Sequence, residues 1–323
     1  MNIFSTLITQ PLGFILRTIY GFVGNYGWSI IIFTILIKLI LFPLTYKSQK
    51  SMEKQKRIQP LLTELQAKYA NDKEKLQKEM SKLYQENGIN PLGGCLPMLL
   101  QFPILIGLYQ VISRPLTYLL NIRLTDAGVV DKLNMLITKF AQTGGTFEKY
   151  GSMTAETLYN RAQIVVSKYG PTVGFDEFFV NFNFFGMDLS AFPSSVVTPI
   201  KQGLIPTLGT LALVLIPLLA AFTTWLSSKL MQPSKEDAQR ANANSENTAA
   251  DMSKSMTYMM PIMTGFITFT LPTGMGLYWI VSNVMQILQQ RVIEFIMKRK
   301  GEDVDVEGYL AAEADRKKRK KRK

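Results

Sequence analysis

GWSIIIFTILIKLILFPLTY, residues 27–46, carries a single charged side chain, Lys38, in an otherwise apolar stretch. A helix rises about 1.5 Å per residue, so about 20 such residues cross the hydrocarbon core of a bilayer. This stretch decides the class, because a lysine near the middle of a lipid-facing span costs about 2.5–3.5 kcal/mol. Lys38 must therefore face a wet cavity or a partner, or else snorkel. Leu44 is six residues away, roughly 9 Å of helix, so the long side chain could instead bend towards the headgroups.

Working outward, four more segments read as spans. Residues 93–120 contain Pro97, Gln101, Pro103 and, towards the far end, Arg114. Residues 204–230 and 273–297 are long enough to cross, whereas 256–271 is short and interrupted by Pro261. The turn Leu271-Pro272-Thr273-Gly274 makes a helical hairpin of the last two. The whole chain fits this reading: 323 residues, 47% hydrophobic, with net charge +12 and mean hydropathy +0.10. Such values are compatible only if apolar residues bunch into spans and charges lie between them.

The charges orient the spans. Residues 47–92 hold ten basic side chains: Lys47, Lys50, Lys54, Lys56, Arg57, Lys68, Lys73, Lys75, Lys78 and Lys82. The chain ends Arg316, Lys317, Lys318, Arg319, Lys320, Lys321, Arg322, Lys323. The positive-inside rule places both in the cytoplasm and the N-terminus outside. Residues 121–203 then lie outside, with seven basic and seven acidic residues, a balance that suits a translocated segment. Within them a helix is expected over 153–169. The phenylalanine-dense stretch 175–192 suits the membrane interface.

In the stretch 47–92, Ile58, Leu61, Leu62, Leu65 and Tyr69 recur at helical spacing, as do Leu76, Met80, Leu83 and Tyr84. Asp72 suits an N-cap for the second helix and Asn87-Gly88 a left-handed close. The expectation is an antiparallel helical hairpin, with Pro60 kinking its first helix or opening a new turn. Residues 1–26 lack a basic n-region and a small-residue cleavage site, which argues against a cleaved signal. Phe14, Ile15, Thr18, Ile19 and Phe22 fall near one helical face, as in an amphipathic helix on the membrane surface. The loop 231–255 and the tail 298–323 are read as cytoplasmic.

No histidine and one cysteine, Cys95, leave no Cys-based zinc site, no internal disulfide and no histidine base. No phosphate-binding or dinucleotide glycine motif occurs. The expectation is a protein that is not an enzyme and needs no cofactor or metal. Thr34, Lys38 and Thr45 share one face of the first span. Trp279, Asn283, Gln286 and Gln290 share one face of the fifth, and Gln101 adds a polar group in the second. These stripes could line one hydrated groove. Amides in spans could equally tie helices together. No acidic residue lies within the spans proper to pair with Lys38, Glu294 standing near the cytoplasmic end of the fifth, and a cation in a groove suits attraction of an anionic group.

Three sets of residues resemble one family. Asn90-Pro91-Leu92-Gly93-Gly94-Cys95-Leu96-Pro97 followed by Gln101-Phe102-Pro103-Ile104 resembles the second-span signature of the YidC/Oxa/Alb insertases. Leu277-Tyr278-Trp279-Ile280-Val281-Ser282-Asn283 with Gln289-Gln290 resembles their last span. Ile58-Gln59-Pro60 and Asn71-Asp72-Lys73 resemble their cytoplasmic hairpin. The resemblance implies an all-α polytopic membrane protein with five helices around a hydrophilic groove, open to the cytoplasm and to lipid and closed outside. The family's groove cation is commonly arginine, and Lys38 aligns with it; the charge is kept and the planar bidentate fork is lost. Thr34, Gln101 and Trp279 align with groove positions.

The function expected is insertion of nascent membrane proteins without ATP hydrolysis. The hairpin, with Lys54, Arg57, Lys73 and Lys75, would receive the substrate. Lys38 would draw a short acidic tail through the groove. The basic tail would meet anionic lipid or ribosomal RNA, and the Sec translocon is a further possible partner. The absence of a signal peptide and of a large preceding domain favours the short, Gram-positive type in a plasma membrane. A solute transporter or channel would use the same polar stripes, but internal span repeats, frequent in transporters, are not evident. An intramembrane Ser-Lys enzyme or a structural anchor would also fit parts of the pattern.

Overall fold

The computed structural model describes residues 3–86, 96–122, 179–197, 208–231 and 248–299, with a few isolated positions between them. The helix expected over 153–169 and the basic tail lie outside the described residues, apart from Ser167 in the former. The described elements, after a short π-helical turn at Ser5–Thr9, are α1 (Gln10–Val23), α2 (Tyr26–Ile40), α3 (Phe42–Lys68), α4 (Lys73–Glu86), α5 (Leu96–Ser113) and α6 (Pro115–Tyr118). The strands β1 (Asn183–Phe184) and β2 (Met187–Asp188) follow. The last helices are α7 (Leu208–Met231), α8 (Thr248–Thr270) and α9 (Thr273–Arg299). The protein is largely α-helical, and the chain divides into two compact units.

The first unit comprises Met1–Leu39, Leu100–Ser227 and Thr257–Met285. Its helices approach closely at small residues, the usual device where no hydrophobic force drives helices together. A Cβ at Gly107 of α5 would sit 2.9 Å from Ile8 and 3.0 Å from Leu12. At Gly276 of α9 it would sit 2.3 Å from Ile216 of α7, and at Gly265 of α8 it would sit 3.3 Å from Ala221 of α7. The outward faces stay apolar: Ile32, Leu36 and Leu39 on α2, Leu215, Leu218 and Phe222 on α7, Ile262 and Phe266 on α8 are all exposed. A contiguous apolar surface of this kind would be an aggregation liability in water and is ordinary against lipid.

α1 buries Leu12 and Leu16 and leaves Phe14 and Phe22 exposed. It closes at Gly24, whose left-handed φ of 66° lets its N–H reach the Tyr20 carbonyl at 2.7 Å. The next residue, Asn25, opens α2 by accepting the Trp28 N–H at 3.2 Å through Oδ1.

Two spans differ from the sequence expectation in their continuity. The run 27–46 breaks at Leu41, and α3 starts at Phe42 with Pro43 in its first turn. Proline is welcome there because its missing N–H has no intrahelical partner to lose. The run 93–120 breaks at Arg114 before Pro115, which disfavours helical backbone in the residue ahead of it. Among the described residues, one helix is long and apolar enough to cross a membrane alone, Leu211–Leu230. α2 and the first residues of α3 qualify only together.

The second unit comprises Ile40–Leu99, Ser228–Met256 and Gln286–Lys323. Here α3 and α4 pack around Ile58, Leu61, Leu62 and Leu83, with Leu65, Met80 and Tyr84 against them. Asp72 Oδ1 accepts the Lys75 N–H at 3.0 Å and so caps α4. α3 runs on through Pro60 as one helix.

Candidate functional site

The polar residues of the first unit gather around α9. Tyr278, buried near the start of α9, accepts a hydrogen bond from Gln101 Nε2 of α5 and is also bonded by Ser282 one turn on. Asn283 Nδ2 donates to Thr223 Oγ1 at 3.1 Å and Thr224 Oγ1 at 2.8 Å on α7. α9 therefore carries a ladder of polar ties to α5 and α7. Each tie removes an unsatisfied donor from an apolar setting, where it would cost several kcal/mol in lipid.

Thr34 is buried at 1% exposure and its hydroxyl bonds back to the Ile30 carbonyl at 2.6 Å. This is the usual way a threonine satisfies itself inside an apolar helix. Lys38 lies one turn further along that face, half-buried. The break at Leu41 puts it in the last turn of α2, where the negative end of the helix dipole favours a cation by about 0.3–1 kcal/mol. The mid-span position read from the sequence thus becomes a helix terminus, which lowers the cost of keeping the charge. Trp279 is half-buried on α9.

Gln286 is half-buried and belongs to the second unit. In that unit Gln290 Nε2 donates to the Leu230 carbonyl and to Glu294 Oε1, both at 3.1 Å. The amides of Asn283 and Gln290 are thus committed to helix ties, the alternative use that the sequence left open. On the hairpin Lys54 is half-buried, and Lys73 and Lys75 are exposed. The Lys68 and Lys75 ammonium groups lie 5.1 and 5.5 Å from the Tyr69 ring centroid. Arg57 is on α3, and its side chain is outside the described residues.

Sequence reasoning read the phenylalanine-dense stretch 175–192 as interfacial and did not foresee the structural role of the segment 179–197. Its carbonyls cap two helices at once. Tyr26 N–H, at the start of α2, donates to Asn181 O at 3.0 Å; Thr273 and Gly274 N–H, at the start of α9, donate to Ala191 O at 2.8 Å and Leu189 O at 2.9 Å. Asn25 Nδ2 adds a bond to Asn183 O at 2.8 Å, and Thr273 Oγ1 adds one to Ala191 O at 2.7 Å. Helix N-termini present unsatisfied N–H groups and partial positive charge, so oxygen acceptors are what they need. The strap is held by rings as well: Phe182 meets Tyr26 edge-on at 4.9 Å, and Phe184 meets Trp28 at 5.6 Å. Phenylalanine density was the one visible signal in the sequence.

Comparison with known proteins shows the family. The family model described as 60Kd inner membrane protein matches residues 18–300. A membrane protein insertase YidC of Fusobacterium nucleatum is 31% identical over 93% of this chain and 99% of its own length. One from Caldanaerobacter subterraneus is 30% identical over 88% of this chain and 93% of its own. One from Nitratidesulfovibrio vulgaris is 30% identical over 88% of this chain, which spans only 38% of that longer relative. An apolar exterior around a polar-laced helix core, and a family match over most of the length, lead to one conclusion: the chain belongs to the YidC/Oxa/Alb family of membrane protein insertases, multi-pass proteins of the plasma membrane.

Proposed function

We propose that this protein inserts nascent membrane proteins into the plasma membrane, carrying short acidic tails across through a groove whose cation is Lys38. The observation that carries the reading is a half-buried lysine at the end of an apolar helix, one turn from buried Thr34. Such a charge is too costly to keep for packing alone.

The spans are 27–46, 93–120, 204–230, 256–271 and 273–297, with the N-terminus outside and the C-terminus in the cytoplasm. The break at Leu41 lies inside the first span. The hairpin α3–α4 sits in the cytoplasm and meets the arriving chain through Lys54, Arg57, Lys73 and Lys75. Thr34, Lys38, Gln101 and Trp279 belong to the groove wall, where polar groups replace part of the water that an entering tail gives up, and Asn283 serves instead as a tie between α9 and α7. The strap 179–197 closes the outer end by tying the starts of α2 and α9.

Burial of about 20 apolar residues in lipid drives the process, so no nucleotide is needed. Outward movement of an acidic tail is assisted by about 2.3 kcal/mol per charge per 100 mV when the interior is negative. The basic tail, Arg316 to Lys323, contacts anionic lipid or ribosomal RNA, and a Sec channel is a compatible neighbour.

Vesicles containing the purified full chain test this with a single-span substrate bearing an acidic outer tail. Wild type and Lys38→Arg should insert it, and Lys38→Glu should lose most insertion at matched protein levels. A substrate with a neutralised tail should depend less on Lys38. Equal insertion of the acidic substrate by wild type and Lys38→Glu would remove the groove charge from the mechanism. No insertion by either would shift weight to a solute path along the same polar residues.

A further inference from the structure

The tip of the strap has unusual chemistry. β1 and β2 pair antiparallel, Asn183 with Asp188 and Phe184 with Met187. The two residues between them, Phe185 and Gly186, have φ of 51° and 78°. Both are left-handed, the pattern of a type I′ hairpin turn, in which the first position ordinarily takes Asn, Asp or Gly. A phenylalanine there is strained, because its Cβ crowds the backbone. Its ring gains no burial in return: Phe185 is 78% exposed.

The ring is nevertheless held in place. Its centroid lies 4.6 Å from Phe184, edge-on, and 6.2 Å from Trp28. The backbone beneath it is tied through Asn25 to Asn183, and Gly186 N–H donates to Asn183 Oδ1 at 3.1 Å. The nearby carboxylate of Asp188 is turned back on its own chain, accepting the Ser190 N–H and hydroxyl at 3.0 and 2.6 Å. The cluster therefore presents apolar rings beside neutral amides.

Its neighbours identify what covers it. Trp28, itself 47% exposed, begins the exposed stripe Trp28, Ile32, Leu36 and Leu39 that runs along α2. These residues recur at i, i+4, i+8 and i+11, one face of a helix. The stripe is the lipid-facing side of the first span, and the cluster continues it beyond the helix start. Trp and other aromatic rings at the end of a span belong to the zone where acyl chains meet headgroups.

We propose that Phe185, with Trp28 beside it and buried Phe184 supporting both rings, is an anchor that seats the strap tip in the headgroup–acyl boundary of the leaflet at the start of α2. The occupant is lipid. The anchor would fix the depth of the strap and, through it, the position of the capped starts of α2 and α9. The proposal rests on the membrane reading above, and on its topology for the choice of the outer leaflet.

The test uses the full chain with Cys95→Ser, reconstituted in vesicles of phosphatidylethanolamine and phosphatidylglycerol. Spin labels are placed singly at Phe185→Cys, at Ile32→Cys within the α2 stripe, and at Lys78→Cys on exposed α4. Collision with a water-soluble nickel chelate should be about fivefold lower at position 185 than at 78, with oxygen collision higher, as for a group just below the headgroups. Nickel accessibility at 185 equal to that at 78 would overturn the anchor. Low collision with both reagents at 185 would mean protein, such as a second copy, covers the tip, and would overturn it too. A water-exposed label at position 32 would instead mean that the membrane reading of α2 fails.

Because the cysteine removes the ring, a second variant retains it. Phe185→Trp with the three native tryptophans changed to Phe should be quenched more by lipids brominated near the headgroup than by aqueous acrylamide. The reverse order would overturn the proposal even if the labelled variant folded poorly.

Discussion

Gly27 illustrates how much can depend on one missing methyl group. It lies in the first turn of α2, where a Cβ would stand 2.3 Å from the Phe184 ring and 2.9 Å from Phe184 Cβ. The ring has little room to yield, because it is buried and flanked edge-on by Trp28 and Phe185. Gly27→Ala should therefore lift the strap from α2 and destabilise the protein by about 1–3 kcal/mol, the usual cost of overpacking. Thermal unfolding of the detergent-solubilised protein would register this as a lower midpoint. An unchanged midpoint would mean that the strap is not tied to α2 in solution. Lys38 is governed by electrostatics rather than by space. Its place in the final turn of α2 lets the negative end of the helix dipole share the burden of the charge.

Among the elements, the α3–α4 hairpin depends on a small apolar core. Leu62 is 4% exposed and packs with Ile58, Leu61 and Leu83. Large-to-small changes in a core cost about 2–5 kcal/mol, more than a helix pair of this size can lose while staying docked. Leu62→Ala should therefore speed amide hydrogen exchange through 58–86, while α2 and α9 in the first unit keep their protection. Slowed or unchanged exchange in α3–α4 would show that the core does not hold the pair. α9 works differently. It is tied by side-chain amides and hydroxyls to α5 and α7, so polar bonds and close glycine contacts add to the burial of Met275, Leu277 and Ile293.

For the molecule as a whole, charge is distributed against hydrophobicity. Most of the net charge of +12 comes from residues 47–92 and the tail 298–323, and the apolar faces of α2, α7 and α8 are exposed. The last eight residues, Arg316 to Lys323, are all basic, a composition suited to salt-sensitive contact with a polyanion. Truncation after Gly308 should lower co-sedimentation with ribosomes at low salt and leave folding intact. Unchanged co-sedimentation would confine the tail to lipid, where each basic residue contributes about 1 kcal/mol near an anionic surface.

The sequence alone determined that this is a helical membrane protein, where its apolar runs lie, and that a lone cation sits in the first of them. It also placed the Asp72 cap and the heptad-like apolar spacing of α3 and α4. All of these are local patterns, legible because helical periodicity, capping and hydropathy act within one or two turns. The family signatures were legible for the same reason, as short runs of fixed spacing. Only the tertiary structure decided that 179–197 caps α2 and α9, that Asn283 ties α9 to α7, and that Lys38 stands at a helix end. The contact between Asn25 and Asn183 joins residues 158 positions apart. An amide in a span reads alike whether it faces water or a neighbouring helix. What such a group bonds to is set by which helices lie beside it, and side-chain periodicity carries no record of that.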